Sequence, residues 1–346
     1  MNQTEPHLLI IVGLGSIGKR HAEYFFSTNT TMLFIDPSDK VETWKDEHFK
    51  KNCKLYKSIN SAKNFIKKIN LPKFGIISNW GTQHYDSVIS LEKLGVKNFL
   101  IEKPIANSVY KIDELLKLSL KKNVNYICGF GWRYSGLHEK INDIAVNKLG
   151  GKPSILNYSG GAFGIVTNGI HYLDLAISLF DSYPRKVISS LKSSNINPRN
   201  DKLDFYDGTA VFEFKNNRRL ILNASNESSV SPTADVICPL GKIKINEDMS
   251  ITVYKRNEKE IAQDPRVIRL GKAYKLKNIK YKPNYQNGFK LLAMQLFSKI
   301  PNHNPERELI ATKFIIYSLT ASLLSKSISI DSSVPKKYYK KNWMIS

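Results

Sequence analysis

Three glycines in the string GLGSIG, residues 13–18, follow the spacing G-x-G-x-x-G. The string comes directly after the apolar run LLIIVG, residues 8–13, and opens a segment with the length of a helix, residues 16–26. Asp36 follows the next apolar run, which begins at Met32. A Gly-rich turn between a buried strand and a helix, with a carboxylate about 20 residues further on, is the pattern that binds dinucleotides.

Each position of the glycine string has a physical role in such a site. Gly13 permits the tight turn, Gly15 lets the main chain approach a pyrophosphate, and Gly18 lets the helix pack closely on its strand. Ser16 and Ile17, at the helix N-terminus, would offer backbone N–H donors and partial positive charge to the phosphates. The string therefore predicts a pyrophosphate site.

The carboxylate of Asp36 would accept hydrogen bonds from the hydroxyls of the adenosine ribose. Its negative charge would repel a 2′-phosphate, so the sequence favours NAD over NADP as the cofactor. Lys40 lies nearby in the sequence and keeps NADP as an alternative. A structural Gly-rich turn that binds no nucleotide is the rival interpretation.

Three further polar strings follow predicted strands: SNWGTQH at 78–84, IEKP at 101–104 and GWRY at 131–134. The carboxyl ends of parallel strands line the crevice that holds cofactor and substrate, so we expect these strings at the binding site. A fourth string, TNGIHYLD at 167–174, begins an apolar helix in the second half of the chain.

The elements that must position these strings alternate between strand and helix in the first part of the chain. The predicted strands are 8–13, 32–35, 74–78, 98–101 and 125–128, and the predicted helices are 16–26, 85–94 and 112–120. This alternation predicts a doubly wound parallel sheet, a Rossmann domain, over residues 1–128.

The second half of the chain has a different pattern. Two alternating strands at 207–214 and 218–223 flank Asn216-Asn217 and predict a hairpin. Further strands are predicted at 235–238, 242–245 and 251–254, and two closing helices at 288–300 and 306–325, the second after Asn304-Pro305. Residues 129–346 are therefore predicted to form an α+β domain with a largely antiparallel sheet, in which 257–285 has no assigned structure.

Length and composition fit a two-domain globular protein, with 346 residues of which 42% are hydrophobic and 24% charged. No apolar run approaches the roughly 18 to 20 residues of a membrane helix, and no basic segment precedes the first apolar stretch as it would in a signal peptide. Cys53, Cys128 and Cys238 are widely spaced and form no CxxC pair for zinc or redox chemistry. We therefore expect a cytoplasmic protein with no metal.

The formal net charge of +22 is the unusual number in the composition. A basic chain can bind nucleic acid, an anionic membrane surface or anionic small molecules. Only ten of the 52 basic residues are Arg, and the Lys are scattered among many Asn and Ile without an interleaved aromatic platform. The pattern favours a solvated surface that attracts anionic substrates, and neither a nucleic-acid nor a membrane partner is expected.

Taken in order, these strings resemble the glucose-fructose oxidoreductase / inositol 2-dehydrogenase family, called Gfo/Idh/MocA. The matching residues are GLGSIGKRH at 13–21, Asp36, N-x-x-x-x-H at 79–84, EKP at 102–104, WR at 132–133 and G-x-H-x-x-D at 169–174. The resemblance implies an N-terminal Rossmann domain and a C-terminal domain whose open sheet often mediates oligomerisation, here a homodimer or homotetramer. It also implies NAD(P)-dependent oxidation or reduction of a sugar, polyol or related carbonyl, with a nucleotide sugar or amino sugar among the candidates.

The resemblance further implies that Lys103 contacts substrate and nicotinamide ribose and that His171 is the catalytic acid/base. Histidine suits this role because its unperturbed pKa lies near neutrality, and a nearby Lys would stabilise a developing alkoxide and lower the pKa of the histidine. The other candidates are Asn79, His84, Glu102, Trp132 and Arg133 for the cofactor, and Thr167, Asn168 and Asp174, with Lys103 and His171, for the substrate.

Structural interpretations of several candidates stay open. Lys103 could be an ordinary lysine at a strand end, and Trp132-Arg133 could combine packing with a surface charge. Asp174, one helical turn after His171, could orient the helix as easily as it could bond a hydroxyl.

One position departs from the family pattern. Members commonly carry Asp four residues before the histidine, and Thr167 stands there in this chain, followed by Asn168. A threonine hydroxyl can form hydrogen bonds but cannot act as a general base at neutral pH. His171 and Lys103 would then carry out the acid–base chemistry. The alternative function is that of a catalytically inactive regulatory or scaffold protein that binds NAD.

Overall fold

The computed structural model describes residues 5–25, 30–49, 53–161, 163–194, 197, 200–257, 272–276, 279, 281–297, 304–330 and 334–345. Much of the unassigned segment 257–285, the end of the predicted helix 288–300 and Phe26 of the predicted helix 16–26 lie outside these residues. The chain divides into two compact units. The first unit contains residues 1–130, 289–313 and 336–346, and the second contains 131–288 and 314–335.

The first unit is built on a six-stranded sheet in which every paired strand is parallel, in the order β3-β2-β1-β4-β5-β6. Its strands are β1 His7–Val12, β2 Thr30–Ile35, β3 Cys53–Tyr56, β4 Lys73–Ile77, β5 Asn98–Ile101 and β6 Asn125–Cys128. The helices between them are α1 Ser16–Phe25, α2 Lys40–His48, α3 Ile59–Lys68, α4 His84–Glu92 and α5 Val109–Lys122. All six residues of β1 are buried, as expected of a central strand covered on both faces. The predicted doubly wound parallel sheet is confirmed.

Between β2 and β4, three elements, α2, β3 and α3, were not predicted from the sequence. The strand β3 has no fully buried residue because it lies at the sheet edge, so its sequence CKLY lacks the continuous apolar run of the inner strands. The helix α2 buries only Val41 and Trp44. Weakly buried elements carry a weak hydrophobic pattern.

The second unit is built on a nine-stranded sheet, in the order β14-β13-β12-β11-β7-β10-β9-β8-β15. Its strands are β7 Ile155–Gly160, β8 Lys186–Ser194, β9 Phe205–Glu213, β10 Arg219–Ala224, β11 Thr233–Cys238, β12 Gly241–Ile245, β13 Ile251–Arg256, β14 Ala273–Lys275 and β15 Ile328–Ser329. The pair β7 and β10 is parallel and the other paired strands are antiparallel. The predicted hairpin is confirmed: β9 and β10 pair across Asn216 and Asn217, which both have positive φ.

One face of the nine-stranded sheet is covered and the other is open. Residues alternate between buried and exposed along β7 and β10. The helices of this part of the chain are α6 Leu137–Lys148 and α7 Gly169–Phe180, and α7 packs on β10 with ten of its twelve residues buried. Five elements of this unit, α6, β7, β8, β14 and β15, were not predicted. The α+β class with a largely antiparallel open sheet is confirmed.

The C-terminal helices are α8 Tyr285–Gln295, α9 Pro305–Leu324 and α10 Lys336–Tyr339. The predicted boundary at 128/129 assigned all of them to the second domain, whereas 289–313 and 336–346 belong to the first unit. Specific contacts explain the difference. The carboxylate of Glu308 accepts from the backbone N–H of Cys128 at 2.8 Å, and Lys313 bonds Asp113 at 2.9 Å. Such long-range partners cannot be read from local sequence pattern.

Within the described ranges, no helix is both long enough and apolar enough to cross a bilayer. The three cysteines are free thiols, two of them buried.

Candidate functional site

The glycine string forms a turn that only glycine fits at two positions. Gly13 has φ +88°, and a Cβ there would lie 2.3 Å from the backbone nitrogen of Asn79. A Cβ on Gly18 would lie 2.0 Å from the carbonyl oxygen of Gly13. These contacts lie between the ends of β1 and β4, where the strand order reverses direction and where open α/β sheets bind ligands.

Gly15 lies in a different environment from the other two glycines. A Cβ built on Gly15 would meet no atom within 4 Å, and the residue is exposed. The helix α1 begins at the next residue, Ser16, so its first N–H groups, including that of the half-buried Ile17, have no partner within the helix. Open space beside unpaired amides at a helix N-terminus fits the pyrophosphate of a dinucleotide.

The carboxylate of Asp36 is fixed at the end of β2 by two backbone donors. Leu14 N–H donates to Oδ2 at 2.7 Å and Ser38 N–H donates to Oδ1 at 2.8 Å. Each oxygen keeps a further lone pair, so the carboxylate can still accept from ribose hydroxyls. Asp36 is thus held directly against the glycine turn, and the residues present fit an adenosine ribose.

The string that follows β4 is tied to the glycine turn and to the next strand end. Ser78 Oγ donates to the carbonyl of Gly13 at 2.8 Å, and the amide of Asn79 donates to Gln83 and Ser87. His84, the first residue of α4, lies with Nε2 2.9 Å from the carbonyl of Asn79. Its Nδ1 lies 2.8 Å from the carbonyl of Pro104. Burial lowers the pKa of the His84 imidazole, against the opposing effect of these carbonyls and of the Glu102 charge.

Glu102, a predicted cofactor ligand, faces the interior of the unit. Its Oε1 lies 3.0 Å from Nε2 of His21, a residue of α1 that is 1% exposed. The carboxylate packs where Gly129 has no side chain, because a Cβ on Gly129 would lie 2.5 Å from Oε2. This hydrogen bond therefore positions the EKP segment, and the next residue, Lys103, is half-buried.

In the second unit, His171 lies in the first turn of α7 and stacks against an aromatic side chain. The Trp132 ring, in the 3-10 turn Gly131–Tyr134, lies 4.8 Å from the His171 ring with an interplanar angle of 22°. Tyr172 meets Trp132 edge-on at 5.1 Å, and Tyr285 lies 6.1 Å away. Burial raises the pKa of both tyrosines. The histidine ring is thus held in a fixed plane.

Arg133 and Asp174, assigned to cofactor and substrate from the sequence, bond one another. Arg133 Nη2 donates to Asp174 Oδ1 at 2.7 Å, and Nε donates to Oδ2 at 3.0 Å. The Asp174 side chain is 1% exposed, so the pair is a buried bidentate ion pair. It joins the turn that carries Trp132 to the helix that carries His171, and so supports the stacked pair.

Thr167 and Asn168 form the turn before α7. Thr167 is buried, and Asn168 donates its side-chain amide to the carbonyl of Phe163. The backbone N–H of His171 donates to the Asn168 carbonyl at 3.0 Å. This turn therefore fixes the start of the helix on which His171 lies.

The structure groups the candidate residues in two sets. The glycine turn, Asp36, Asn79, His84, Glu102 and Lys103 lie in the first unit, and Trp132, Arg133, Thr167, Asn168, His171 and Asp174 lie in the second. Two further residues had no role predicted from the sequence. His21 is the last residue of the GLGSIGKRH string, and Tyr285 lies in the segment without assigned structure. Among the described residues, no three His, Cys, Asp or Glu side chains converge as metal ligands.

Comparison with known proteins agrees with this geometry. Residues 8–130 match the family model for the oxidoreductase family with an NAD-binding Rossmann fold. Residues 8–130 thus form a Rossmann domain of the Gfo/Idh/MocA oxidoreductase family. The first unit accordingly contains an NAD(P)-binding domain.

Relatives of known sequence and structure extend the comparison to the whole chain. Myo-inositol 2-dehydrogenase of Thermotoga maritima is 24% identical over 178 residues, which are 49% of this chain and 52% of that protein. The match thus spans about half the length of that relative. An Agrobacterium radiobacter oxidoreductase, solved with NAD+, L-tartaric acid and magnesium, has a TM-score of 0.69 at 13% identity, covering 94% of this chain and 98% of that one. A super-repressor mutant of Gal80p from Saccharomyces cerevisiae has a TM-score of 0.68 at 14% identity, covering 94% and 98%. The two structures share the fold of this chain.

Proposed function

We propose that the protein is an NAD-dependent oxidoreductase that interconverts a hydroxyl and a carbonyl group on a sugar, polyol or related compound. The observation that supports this most directly is the open space at Gly15 beside a fixed Asp36 carboxylate. A carboxylate in that position accepts ribose hydroxyls and disfavours a 2′-phosphate, so we propose NAD over NADP. When bound, the nicotinamide supplies the hydride donor or acceptor.

The chain's own residues would transfer the proton and stabilise negative charge on the substrate. We propose His171 as the acid/base that takes the proton from the substrate hydroxyl or returns it, because histidine is the side chain whose unperturbed pKa lies near neutrality. The Trp132 stack and the Arg133–Asp174 pair hold that ring in place. We propose Lys103 as the cation that stabilises negative charge on the substrate oxygen.

Substitution of these two residues tests the assignment. K103A and H171A should each lower turnover by about 100- to 10,000-fold, the usual contribution of a general acid or base, while NADH still binds. The assay is hydride transfer to or from NAD(H) over a panel of polyols and sugars, with NADH affinity measured separately. Turnover within a few-fold of wild type in both variants would contradict the site assignment.

The excess of positive charge supports a phosphorylated or nucleotide-linked sugar as substrate, since the net charge of +22 attracts anions. The half-exposed face of the nine-stranded sheet supports a homodimer or homotetramer. The three free thiols fit a cytoplasmic location.

A second candidate function is that of a regulatory or scaffold protein that binds NAD without turnover. Two observations favour it: Thr167 stands where the family commonly has Asp, and a super-repressor mutant of Gal80p has a similar fold. This alternative expects nucleotide binding without turnover on any sugar. It also expects H171A to behave as wild type.

A further inference from the structure

Lys103 lies between two residues that are each bonded to a buried histidine. Glu102 Oε1 accepts from Nε2 of His21 at 3.0 Å, and the carbonyl of Pro104 lies 2.8 Å from Nδ1 of His84. Both histidines are 1% exposed. Since His21 belongs to α1 and His84 to α4, a different helix fixes the chain on each side of Lys103.

We propose that His84 is a positioning residue for Lys103, acting through a hydrogen bond from its Nδ1–H to the carbonyl oxygen of Pro104. The inference rests on the proposed function, in which Lys103 acts on the substrate. His84 itself reaches no reacting atom, because both of its ring nitrogens face backbone carbonyls.

The location of the ring proton follows from the burial of the two acceptors. A neutral imidazole donates from one nitrogen only. The contact with Pro104 is buried, whereas the contact with the Asn79 carbonyl is only partly buried. A buried carbonyl left without a donor is costlier than one that water can reach. The neutral ring therefore carries its proton on Nδ1.

On the Glu102 side of Lys103 the chain is held by packing and by hydrogen bonds. The position of Lys103 therefore depends most on the contact at Pro104. The Glu102 carboxylate fills the space at Gly129, where a Cβ would lie 2.5 Å away. The backbone N–H of Glu102 also donates to the carbonyl of Ile77 at 2.8 Å. Loss of the donor to Pro104 is thus the change that frees the lysine.

Three substitutions at His84 separate the two ring nitrogens. The amide nitrogen of H84N takes the place of Nδ1 and can donate to Pro104. The amide nitrogen of H84Q takes the place of Nε2 and can donate to Asn79, and H84L can donate to neither. H84Q leaves the buried Pro104 carbonyl without a donor, so it should melt at a lower temperature than H84N. All variants are therefore compared well below their melting temperatures, where each is fully folded, so that a difference in Lys103 behaviour does not come from unfolding.

The first readout needs no substrate. The NADH-bound protein is treated with trace acetic anhydride, and the acetylation rate of Lys103 is measured by peptide mass spectrometry relative to Lys192, an exposed lysine on β8. H84N should keep the wild-type rate within about 2-fold, whereas H84Q and H84L should change it by about 5-fold or more, the scale of one lost hydrogen bond.

The second readout is turnover on whichever panel compound the wild type converts. H84Q and H84L should lower kcat by about 10- to 100-fold, because small displacements of a catalytic group have effects of this size. H84N should restore most of the activity. Equal Lys103 labelling and equal kcat in H84N and H84Q would overturn the role of His84. By contrast, full turnover in K103A, or no turnover in the wild type, would contradict the proposed function. The comparison of Lys103 labelling would then still test the role of His84.

Discussion

At the scale of single residues, Gly15 and Gly18 should separate cofactor binding from folding. A Cβ at Gly15 meets nothing within 4 Å, so G15A should keep the wild-type melting temperature. That Cβ would occupy the proposed pyrophosphate site, so NADH affinity should fall by about 10-fold or more.

G18A is the matched control for G15A. Its Cβ would lie 2.0 Å from the Gly13 carbonyl, so the free energy of unfolding should fall by about 1 to 3 kcal/mol. Urea denaturation and NADH fluorescence titration measure the two effects. A G15A protein that binds NADH as tightly as wild type would place the pyrophosphate elsewhere.

Asp36 should determine the choice between the two dinucleotides. D36A removes the charge that repels a 2′-phosphate, so the ratio of NADPH to NADH dissociation constants should fall by about 10-fold or more. D36N is the control for loss of structural support at the turn. It also removes the charge, but its amide oxygen can still accept from one of the two backbone donors, Leu14 and Ser38. An unchanged ratio in D36A would show that Asp36 does not select the cofactor.

The turn of the glycine string and the position of Asp36 beside it were predictable because both depend on local backbone geometry and on spacing along one βαβ unit. The partners of His21, His84 and Arg133 were not. The sequence separation between His21 and Glu102 is 81 residues, and that between Arg133 and Asp174 is 41. Only the folded chain shows that Arg133 and Asp174 bond one another.

At the scale of elements, Glu308 should anchor α9 to the Rossmann unit. It is the acceptor for the backbone N–H of Cys128 at the end of β6, at 2.8 Å. E308A leaves this donor without its carboxylate partner and should lower the free energy of unfolding by about 1 to 3 kcal/mol. E308Q keeps an oxygen acceptor and should lose less. Equal stability in E308A and wild type, by urea denaturation, would contradict the anchor.

The helix α10 should contribute a pH-dependent term to stability. Burial, together with a hydrogen bond to Asp113, raises the pKa of Tyr339 to about 12 from the ordinary 10.0. Between these values the folded chain keeps a proton that the unfolded chain has lost, so stability falls as pH rises from about 10 to 12. Y339F should flatten this decline in melting temperature. If the melting temperature of Y339F falls with pH as steeply as that of the wild type, Tyr339 does not contribute to the decline.

Elements with a strong burial pattern were the predictable ones. The strands β1, β4, β5 and β6 were located to within a residue or so because they are largely apolar runs. The edge strand β3 and the half-exposed strand β8 lack that signal. The division of the C-terminal helices between units depends on side-chain partners, which hydrophobic periodicity does not specify.

At the scale of the whole molecule, the net charge of +22 should attract small anions without creating a nucleic-acid site. Binding to duplex DNA at 200 mM salt should be no tighter than nonspecific contact with phosphates, with a dissociation constant of about 1 μM or weaker. Fluorescence anisotropy at this salt concentration measures it. Tight DNA binding that persists at 200 mM salt would contradict a purely solvated basic surface.

The most direct test of the account is a titration of the purified protein with NADH and NADPH. We expect saturable NADH binding that is tighter than NADPH binding and that G15A greatly weakens, because in the proposed site the glycine turn binds the pyrophosphate and Asp36 binds an unphosphorylated adenosine ribose. Binding of neither nucleotide by the folded protein would contradict its assignment as an NAD-dependent oxidoreductase.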